Sequence, residues 1–352
     1  MSKRYLFLFI VLPLLNLNAD FQEISPKYET VEVLTPGDAA DDPAIWLNAE
    51  QPSRSLIFGT DKRSGVHVYD LKGKALGFTE LGSINNIDLR TLYNKNRSDT
   101  YFFASNRTTQ SIDMWAYKDS DIRLDIIDMN FALAKEPLIQ MLSNINIYGI
   151  CAGNDPQLGL IVFATEDGGP SVELWQYSNN TLKLLTTFSN NGESEGCVYD
   201  DENRTLFISE ENTNGVLKAY QVNDSLDFDS AIIIDSRAGN IGGDPEGVAI
   251  YKTSLLSGYV VLSSQGDSKY NLYNREAPYN YIDSFRVGNS LYGAIDGTSD
   301  TDGVAILSNN LNRDFPMGIM VVQDGYNFDK DQAKNQNFKY LSFKDIIKKL
   351  KL

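Results

Sequence analysis

A short β-type motif that recurs six times constrains the fold of this chain more than any other feature. Each copy opens with a polar or acidic residue and continues through a small residue into alternating apolar positions. The copies are Asp42-Pro43-Ala44-Ile45, Asn86-Ile87-Asp88-Leu89, Tyr148-Gly149-Ile150-Cys151, Glu195-Gly196-Cys197-Val198, Glu246-Gly247-Val248-Ala249 and Asp302-Gly303-Val304-Ala305. They begin roughly 44 to 62 residues apart, so the chain is built from one repeated unit.

A second β run follows each motif and ends in a polar turn before a third run begins. Residues 56–62 and 101–107 are the first two of these second runs. Six such units predict an all-β fold, a six-bladed β-propeller with four-stranded antiparallel blades around a central channel. A pair of β-sandwiches would explain the β content but not the register of the repeat.

The two ends of the chain have their own patterns. Residues 1–19 are typical of a secretory signal peptide, with Lys3 and Arg4 before an apolar run and Ala19 at the end. We therefore expect cleavage near Ala19-Asp20, a secreted or periplasmic protein, and a single propeller domain over residues 20–352. Residues 20–32 are expected to supply a strand that closes the ring, and residues 343–352 a basic amphipathic helix.

The formal net charge of −16 argues against nucleic acid or an anionic membrane as a partner. We expect a monomer that acts on a small molecule. The two cysteines, Cys151 and Cys197, leave two alternatives open. They form a disulfide in an exported chain, or they are small buried residues on neighbouring strands.

The first residue of each motif is expected to face one mouth of the channel, because the innermost strands of a propeller start around that end. Several acids adjoin these positions: Asp41 and Asp244 precede two of them, and Glu211 ends the second run of the fourth repeat. Carboxylates gathered in this way repel one another, so we infer several Ca²⁺ ions at the mouth. The alternative is a set of unrelated acidic surface turns, which does not explain their equivalent positions. The predicted ring consists of Asp42, Asn86, Tyr148, Glu195, Glu246 and Asp302.

Lys62 and Arg107 occupy equivalent turns of two successive repeats. Beside an acidic, metal-loaded mouth they indicate a bound anion, for which arginine offers a fork and lysine a point charge.

The residues that the chain lacks narrow the chemistry. His67 is the only histidine, so neither a Ser-His-Asp triad nor a histidine-rich zinc site can form. No G-x-x-x-x-G-K-[ST] phosphate loop is present. The acidic run that starts at Asp296 has Leu307 at its twelfth position, so it is not an EF-hand. Hydrolysis by a metal-activated water is the remaining mechanism that uses acids, Ca²⁺ and cations together.

Seven segments carry a resemblance that runs from about Glu29 to Lys339. With them, the chain resembles the β-propeller phytases, the calcium-dependent 3-phytase family of secreted phosphatases that hydrolyse phytate. The segments are residues 38–46, 59–65, 85–90, 104–107, 263–266, 296–303 and 335–339.

The resemblance implies calcium at the channel mouth, two neighbouring phosphate subsites, and in-line attack on phosphorus by a water that bridges calcium ions. The implied phosphate contacts are Lys62, Arg107 and Tyr148. The implied catalytic residues are Glu195, Asp244, Glu246, Asp302 and Tyr148. The implied ligands of the active-site calcium ions are Glu29, Asp41, Asp42, Glu195, Glu211, Asp244, Glu246 and Asp302. A structural calcium site is implied at Gln265, Asp296, Asp324 and Asn327.

The chain departs from the family pattern at two places. Residues 165–169 replace a phosphate-binding lysine after the second strand of the third blade, so we expect that contact to be absent. Tyr326 stands where the family has a ligating carboxylate of the structural site.

Two other functions fit parts of the pattern. A metal-dependent lactonase on a six-bladed propeller would explain the acids but not Lys62 and Arg107. A non-catalytic propeller would use calcium to hold a polyanion.

Overall fold

The structure is a computed structural model that describes residues 22–95, 97–128, 130–212 and 214–352. The predicted signal peptide lies outside the described residues. No helix in the described ranges is long and apolar enough to cross a membrane.

The described residues form six blades of four antiparallel strands around a channel, one of which has a fifth strand at its outer edge, and this confirms the predicted six-bladed β-propeller. Two short strands precede the first blade: β1 (Gln22–Ile24) and β2 (Tyr28–Glu29). Blade 1 contains β3 (Ala40–Trp46), β4 (Leu56–Asp61), β5 (Gly65–Tyr69) and β6 (Ala75–Glu80). Blade 2 contains β7 (Ile84–Asn94), β8 (Arg97–Asn106), β9 (Ser111–Lys118) and β10 (Ile139–Leu142). Blade 3 contains β11 (Ile147–Asp155), β12 (Gly159–Glu166), β13 (Ser171–Ser178) and β14 (Thr181–Ser189).

Blades 4 to 6 repeat this order. Blade 4 contains β15 (Cys197–Asp200), β16 (Thr205–Glu210), β17 (Val216–Gln221) and β18 (Ile232–Ser236). Blade 5 contains β19 (Pro245–Lys252), β20 (Gly258–Ser264), β21 (Lys269–Asn274) and β22 (Tyr281–Val287). Blade 6 contains β23 (Val304–Leu307), β24 (Ile319–Asp324), the hairpin β25 (Phe328–Asp329) and β26 (Gln332–Ala333), and β27 (Asn337–Ser342). The helices are α1 (Asp119–Asp125) and α2 (Phe343–Leu350), with 3-10 turns at Pro52–Arg54 and Ile126–Asp128.

The N-terminal strands complete blade 6 and extend blade 5. β2 pairs antiparallel with β27, where Glu29 lies opposite Lys339, and so adds the fourth strand of blade 6. β1 pairs parallel with β22 of blade 5. The expectation that the start of the chain closes the ring is therefore confirmed for residues 22–29, and α2 confirms the predicted terminal helix.

Apolar side chains on both faces of the middle strands hold neighbouring blades together. All residues of β4 are buried, as are all residues of β16 and β24. Between blades 1 and 2, the rings of Phe58 and Phe102 lie 4.7 Å apart. Burial of this kind is the main favourable term in folding, and in a propeller it also sets how each blade faces the next.

The innermost strands β3, β7, β11, β15, β19 and β23 contact one another in a closed circle. They surround a cavity of about 370 Å³ that has Asp42 and Asn86 among its lining residues. Cys151 on β11 and Cys197 on β15 form a disulfide between blades 3 and 4, which decides between the two alternatives left by the sequence.

Candidate active site

The innermost strands are irregular where the predicted ring residues lie. The pairing register of blades 1, 2, 3 and 5 shifts at the start of β3, β7, β11 and β19, across residues 40–43, 84–87, 147–150 and 245–248. Such bulges re-aim side chains and are common beside active sites. Here Asp41 and Asn85 contact each other at the mouth, whereas the next residues, Asp42 and Asn86, line the channel.

Glycines behind the ring allow the blades to approach closely at the mouth. A Cβ atom on Gly149 would collide with the carbonyl oxygen of Glu195, and one on Gly196 with that of Glu246. The Tyr148-Gly149 and Glu195-Gly196 pairs therefore bring the acids of adjacent blades together.

A second ring of positions lies at the end of the second strand in each blade, and we call these the rim positions. The backbone N–H of each one donates a hydrogen bond of 2.7–2.9 Å to a carbonyl that precedes the innermost strand of the same blade. This shared bond makes the six positions structurally equivalent. In blade order they are Lys62, Arg107, Asp167, Glu211, Gln265 and Gly325.

Three glutamates form the most compact acidic group among the described residues. One carboxylate oxygen from each of Glu195, Glu211 and Glu246 lies within 4.8 Å of the others. Glu211 Oε1 and Glu246 Oε2 are buried without a hydrogen-bond partner. Buried unpaired carboxylate oxygens are costly, and they are the ligands that Ca²⁺ prefers.

Burial and mutual repulsion raise the pKa values of these acids. Burial, followed by the charges of Asp41 and Glu246, raises the pKa of Glu195 well above its usual range. Burial and then the charge of Glu211 do the same for the pKa of Glu246. Burial, followed by the charge of Glu193, raises the pKa of Glu211 to about 7.

Asp41 and Asp302 complete this group, and Lys62 lies against both. The ammonium of Lys62 is 3.0 Å from Asp41 Oδ1 and 3.7 Å from Asp302 Oδ2, and it is also 2.9 Å from Asp38. Burial, followed by the charge of Asp41, raises the pKa of Asp302. Burial alone would lower the pKa of Lys62, but these carboxylates raise it. Asp41, Glu195, Glu211, Glu246 and Asp302 are called the mouth acids below.

Asn85 connects the mouth acids to the rim, and it is not among the site residues that the sequence predicts. Its side-chain Nδ2 lies 2.6 Å from Glu195 Oε1, 3.2 Å from Asp41 Oδ2 and 2.9 Å from Asn86 Oδ1. Its Oδ1 accepts a 3.1 Å hydrogen bond from Arg107. The sequence does carry a signal for Asn85, because it precedes Asn86 at the start of the second motif as Asp41 precedes Asp42 at the start of the first.

Arg107 and Tyr148 form the other side of the mouth. The guanidinium of Arg107 lies 5.2 Å from the centre of the Tyr148 ring and forms an ion pair with Asp167. Burial, followed by the charge of Glu195, raises the pKa of Tyr148, so its phenol stays protonated at neutral pH.

The structure places three other predicted residues differently. Asp244 is half-exposed and forms an ion pair with Arg237 outside the glutamate group. Asp42 accepts a hydrogen bond from the backbone N–H of Ile87 and lines the channel. Gln265 donates to Asp302 at the mouth.

The remaining predicted residues gather around a lysine between the chain ends, in what we call the closure cluster. The fully buried ammonium of Lys339 contacts the carboxylates of Glu29 and Asp296, and it lies 3.1 Å from Asn327 Oδ1 and 3.3 Å from Asp324 Oδ2. Glu29 thus lies with Asp296, Asp324 and Asn327 rather than with the mouth acids. The closure cluster consists of Glu29, Asp296, Asp324, Asn327 and Lys339.

The fold and the mouth together define a β-propeller that combines buried carboxylates, suited to hard cations, with a lysine and an arginine, suited to an anion. This combination fits metal-assisted chemistry on an anionic ester. A sequence profile of the phytase family matches residues 14–351. A 3-phytase from Bacillus subtilis (strain 168) is 32% identical over 340 residues, which cover 93% of this chain and 85% of that relative. The chain therefore belongs to the phytase family and is a phosphoric monoester hydrolase.

Proposed function

We propose that this chain is a calcium-dependent phytase, which hydrolyses phosphomonoesters of phytate (myo-inositol hexakisphosphate) to phosphate and lower inositol phosphates. The observation that carries this proposal is the placement of the Glu195, Glu211 and Glu246 carboxylates within 4.8 Å of one another at the mouth that Lys62 and Arg107 border. Family membership supports the same reaction.

The mouth acids would hold the calcium ions. Their oxygens come from blades 1, 4, 5 and 6, and two of them are buried without a hydrogen-bond partner, so the donor set fits a hard cation. Calcium, when bound, would activate a water for attack on phosphorus and neutralise charge in the transition state. Asp42, Asp244 and Glu29 remain proposed ligands from the family resemblance.

Lys62 and Arg107 would bind and orient the substrate. Lys62 presents a point charge at the mouth from blade 1, whereas Arg107 presents a planar fork from blade 2. Two such groups on adjacent blades suit two neighbouring phosphates of one ring. The protonated phenol of Tyr148 is a hydrogen-bond donor beside them.

The acidic mouth accounts for the predicted need for calcium in substrate binding. A polyanion meets a protein of net charge −16, so cations must intervene between the mouth acids and the phosphates. We propose that the substrate enters as a calcium complex, and that the protein acts as an exported monomer.

Phosphate release from phytate, measured with added Ca²⁺ and with a chelator, tests the proposal. We expect release with Ca²⁺ and loss of release when it is removed. A lactone substrate and phytate binding by calorimetry are measured in parallel. Lactone hydrolysis without phosphate release would favour the lactonase, and binding without any turnover would favour the polyanion-binding propeller.

A further inference from the structure

The rim positions carry opposite charges on two neighbouring blades. Blade 2 has Arg107 at its rim position, and blade 3 has Asp167 at the equivalent position. The two side chains meet at a distance of 2.5 Å between Arg107 Nη2 and Asp167 Oδ2. The acid of one blade therefore contacts the cation of the next.

The guanidinium of Arg107 is already engaged on two sides. Its Nη1 donates to Asn85 Oδ1 at 3.1 Å, and its Nη2 donates to Asp167. Both ion-pair partners remain accessible, with 35% of the Arg107 side chain and 29% of the Asp167 side chain exposed. A carboxylate thus occupies the part of the arginine fork that a phosphate oxygen would need.

The turn that carries Asp167 also lies against blade 4. The backbone N–H of the next residue, Gly168, donates a 2.8 Å hydrogen bond to Glu193 Oε1, and the carbonyl of Glu193 accepts the rim hydrogen bond of Glu211. The adjacent acid, Glu166, is differently engaged, because its carboxylate accepts a 3.0 Å hydrogen bond from the backbone N–H of Ser171 in its own loop. Asp167 therefore contacts the rim residue of the neighbouring blade, whereas the Glu166 carboxylate is bonded within its own loop.

We propose that Asp167 is a specificity-determining residue, an internal anion that competes with substrate phosphate for Arg107 and disfavours densely phosphorylated substrates. The inference rests on the proposed function, since it assumes that Arg107 binds a substrate phosphate. A phosphate enters the fork by displacing the carboxylate, and any further phosphates beside blade 3 meet its charge. The cost rises with the number of phosphates, so a substrate with one phosphate is less affected.

The experiment compares wild type, Asp167→Asn and the matched control Glu166→Gln, which removes the same charge one residue away. For each, kcat and KM are measured with phytate and with p-nitrophenyl phosphate in the presence of Ca²⁺. We expect Asp167→Asn to lower KM for phytate about two- to five-fold, as for loss of a partly exposed charge contact, and to change KM for the single phosphate less. The difference should shrink as ionic strength rises, because salt screens exposed charges. Glu166→Gln should leave the ratio of the two KM values near that of wild type.

Binding of myo-inositol hexakissulfate by calorimetry provides a readout without turnover, and Asp167→Asn should bind this polyanion more tightly. Equal KM changes for both substrates, no change, or the same effect from Glu166→Gln would overturn the role of Asp167. A wild-type protein that releases no phosphate from phytate would instead refute the proposed function, so the two failures are distinguishable.

Discussion

Asn85 of blade 2 donates a 2.6 Å hydrogen bond to Glu195 of blade 4, although the two residues lie 110 positions apart in the chain. The same amide nitrogen is 3.2 Å from Asp41 of blade 1. One neutral side chain therefore holds together two acids whose charges repel each other. A neighbour that orients ligands in this way acts as a positioning residue.

Asn85→Ala is expected to lower kcat/KM for phytate by about 10–100-fold, the usual cost of removing a group that orients metal ligands. The variant should also need more Ca²⁺ for half-maximal activity, because Glu195 and Asp41 lose a shared donor. Phosphate release measured across a calcium titration checks both effects. Asn154→Ala, which removes an exposed amide from β11, is the control. An unchanged calcium requirement in Asn85→Ala would contradict the positioning role.

Glu195→Gln and Asp302→Asn are each expected to lower turnover by more than about 100-fold. Even mutation of a residue that only hydrogen-bonds to a metal ligand lowers activity about 10–100-fold. Each substitution keeps the side-chain shape but removes a charge from the mouth acids. Circular dichroism should show that both variants remain folded β proteins. Asp229→Asn, on an exposed loop of blade 4, should turn over like wild type. If either Glu195→Gln or Asp302→Asn kept wild-type turnover, that residue would not be part of the catalytic site.

The repeat in the sequence predicted much of the site because a propeller places equivalent residues at equivalent heights. On this ground the repeat predicts equivalent positions for Lys62 and Arg107, and the structure gives them the same backbone hydrogen bond. The repeat likewise predicts that Glu195, Glu246 and Asp302 face one mouth, and the structure brings them together. The strand register within one blade is set by the local pattern of apolar and polar residues, so it can be predicted from a single sequence.

Contacts between blades could not be read in the same way. The ion pair of Asp244 with Arg237 and the position of Glu29 beside Lys339 depend on how the blades sit against one another. Asn85 is a similar case, because its two acidic partners come from blades 1 and 4. These distances follow from packing of the whole ring, which no local pattern encodes.

Without calcium, stability should fall as pH rises from about 5 to 7.5. The pKa values of Glu195, Glu211, Glu246 and Asp302 are raised in the folded state, that of Glu211 to about 7. In this range the folded protein binds more protons than the unfolded chain, so each rise in pH favours unfolding. Lys62 does not reverse the trend, because its raised pKa stabilises the fold throughout this range. We expect Tm in chelator to fall by roughly 3–6 °C.

Added Ca²⁺ should abolish or reverse this slope, because metal binding requires deprotonated carboxylates. Thermal unfolding at several pH values, with chelator and with Ca²⁺, measures both slopes. Glutamine cannot ionise, so Glu211→Gln should make the Tm in chelator less dependent on pH. A slope in chelator that rises with pH in the wild type would show that the mouth acids do not control stability in this range.

Lys339 and Asp296 of the closure cluster should govern stability rather than turnover. Lys339 is fully buried among Glu29, Asp296 and Asp324, and it joins β27 to β2 and to the segment before blade 6. Lys339→Met leaves these carboxylates without a cation, and breaking a buried ion pair in this way costs about 3–5 kcal/mol. Asp296→Asn removes one acid, so it should lower Tm in Ca²⁺ by less and leave kcat near that of wild type.

Guanidinium unfolding of Lys339→Met and Asp296→Asn, with and without Ca²⁺, measures these changes. Asp331→Asn, an exposed acid in the turn between β25 and β26, is the control. Added Ca²⁺ should stabilise Lys339→Met more than wild type, because three unpaired carboxylates then face one another. If Lys339→Met unfolds at the wild-type denaturant concentration, the buried lysine does not hold the ring closed. If Asp296→Asn loses turnover before stability, the cluster belongs with the mouth acids.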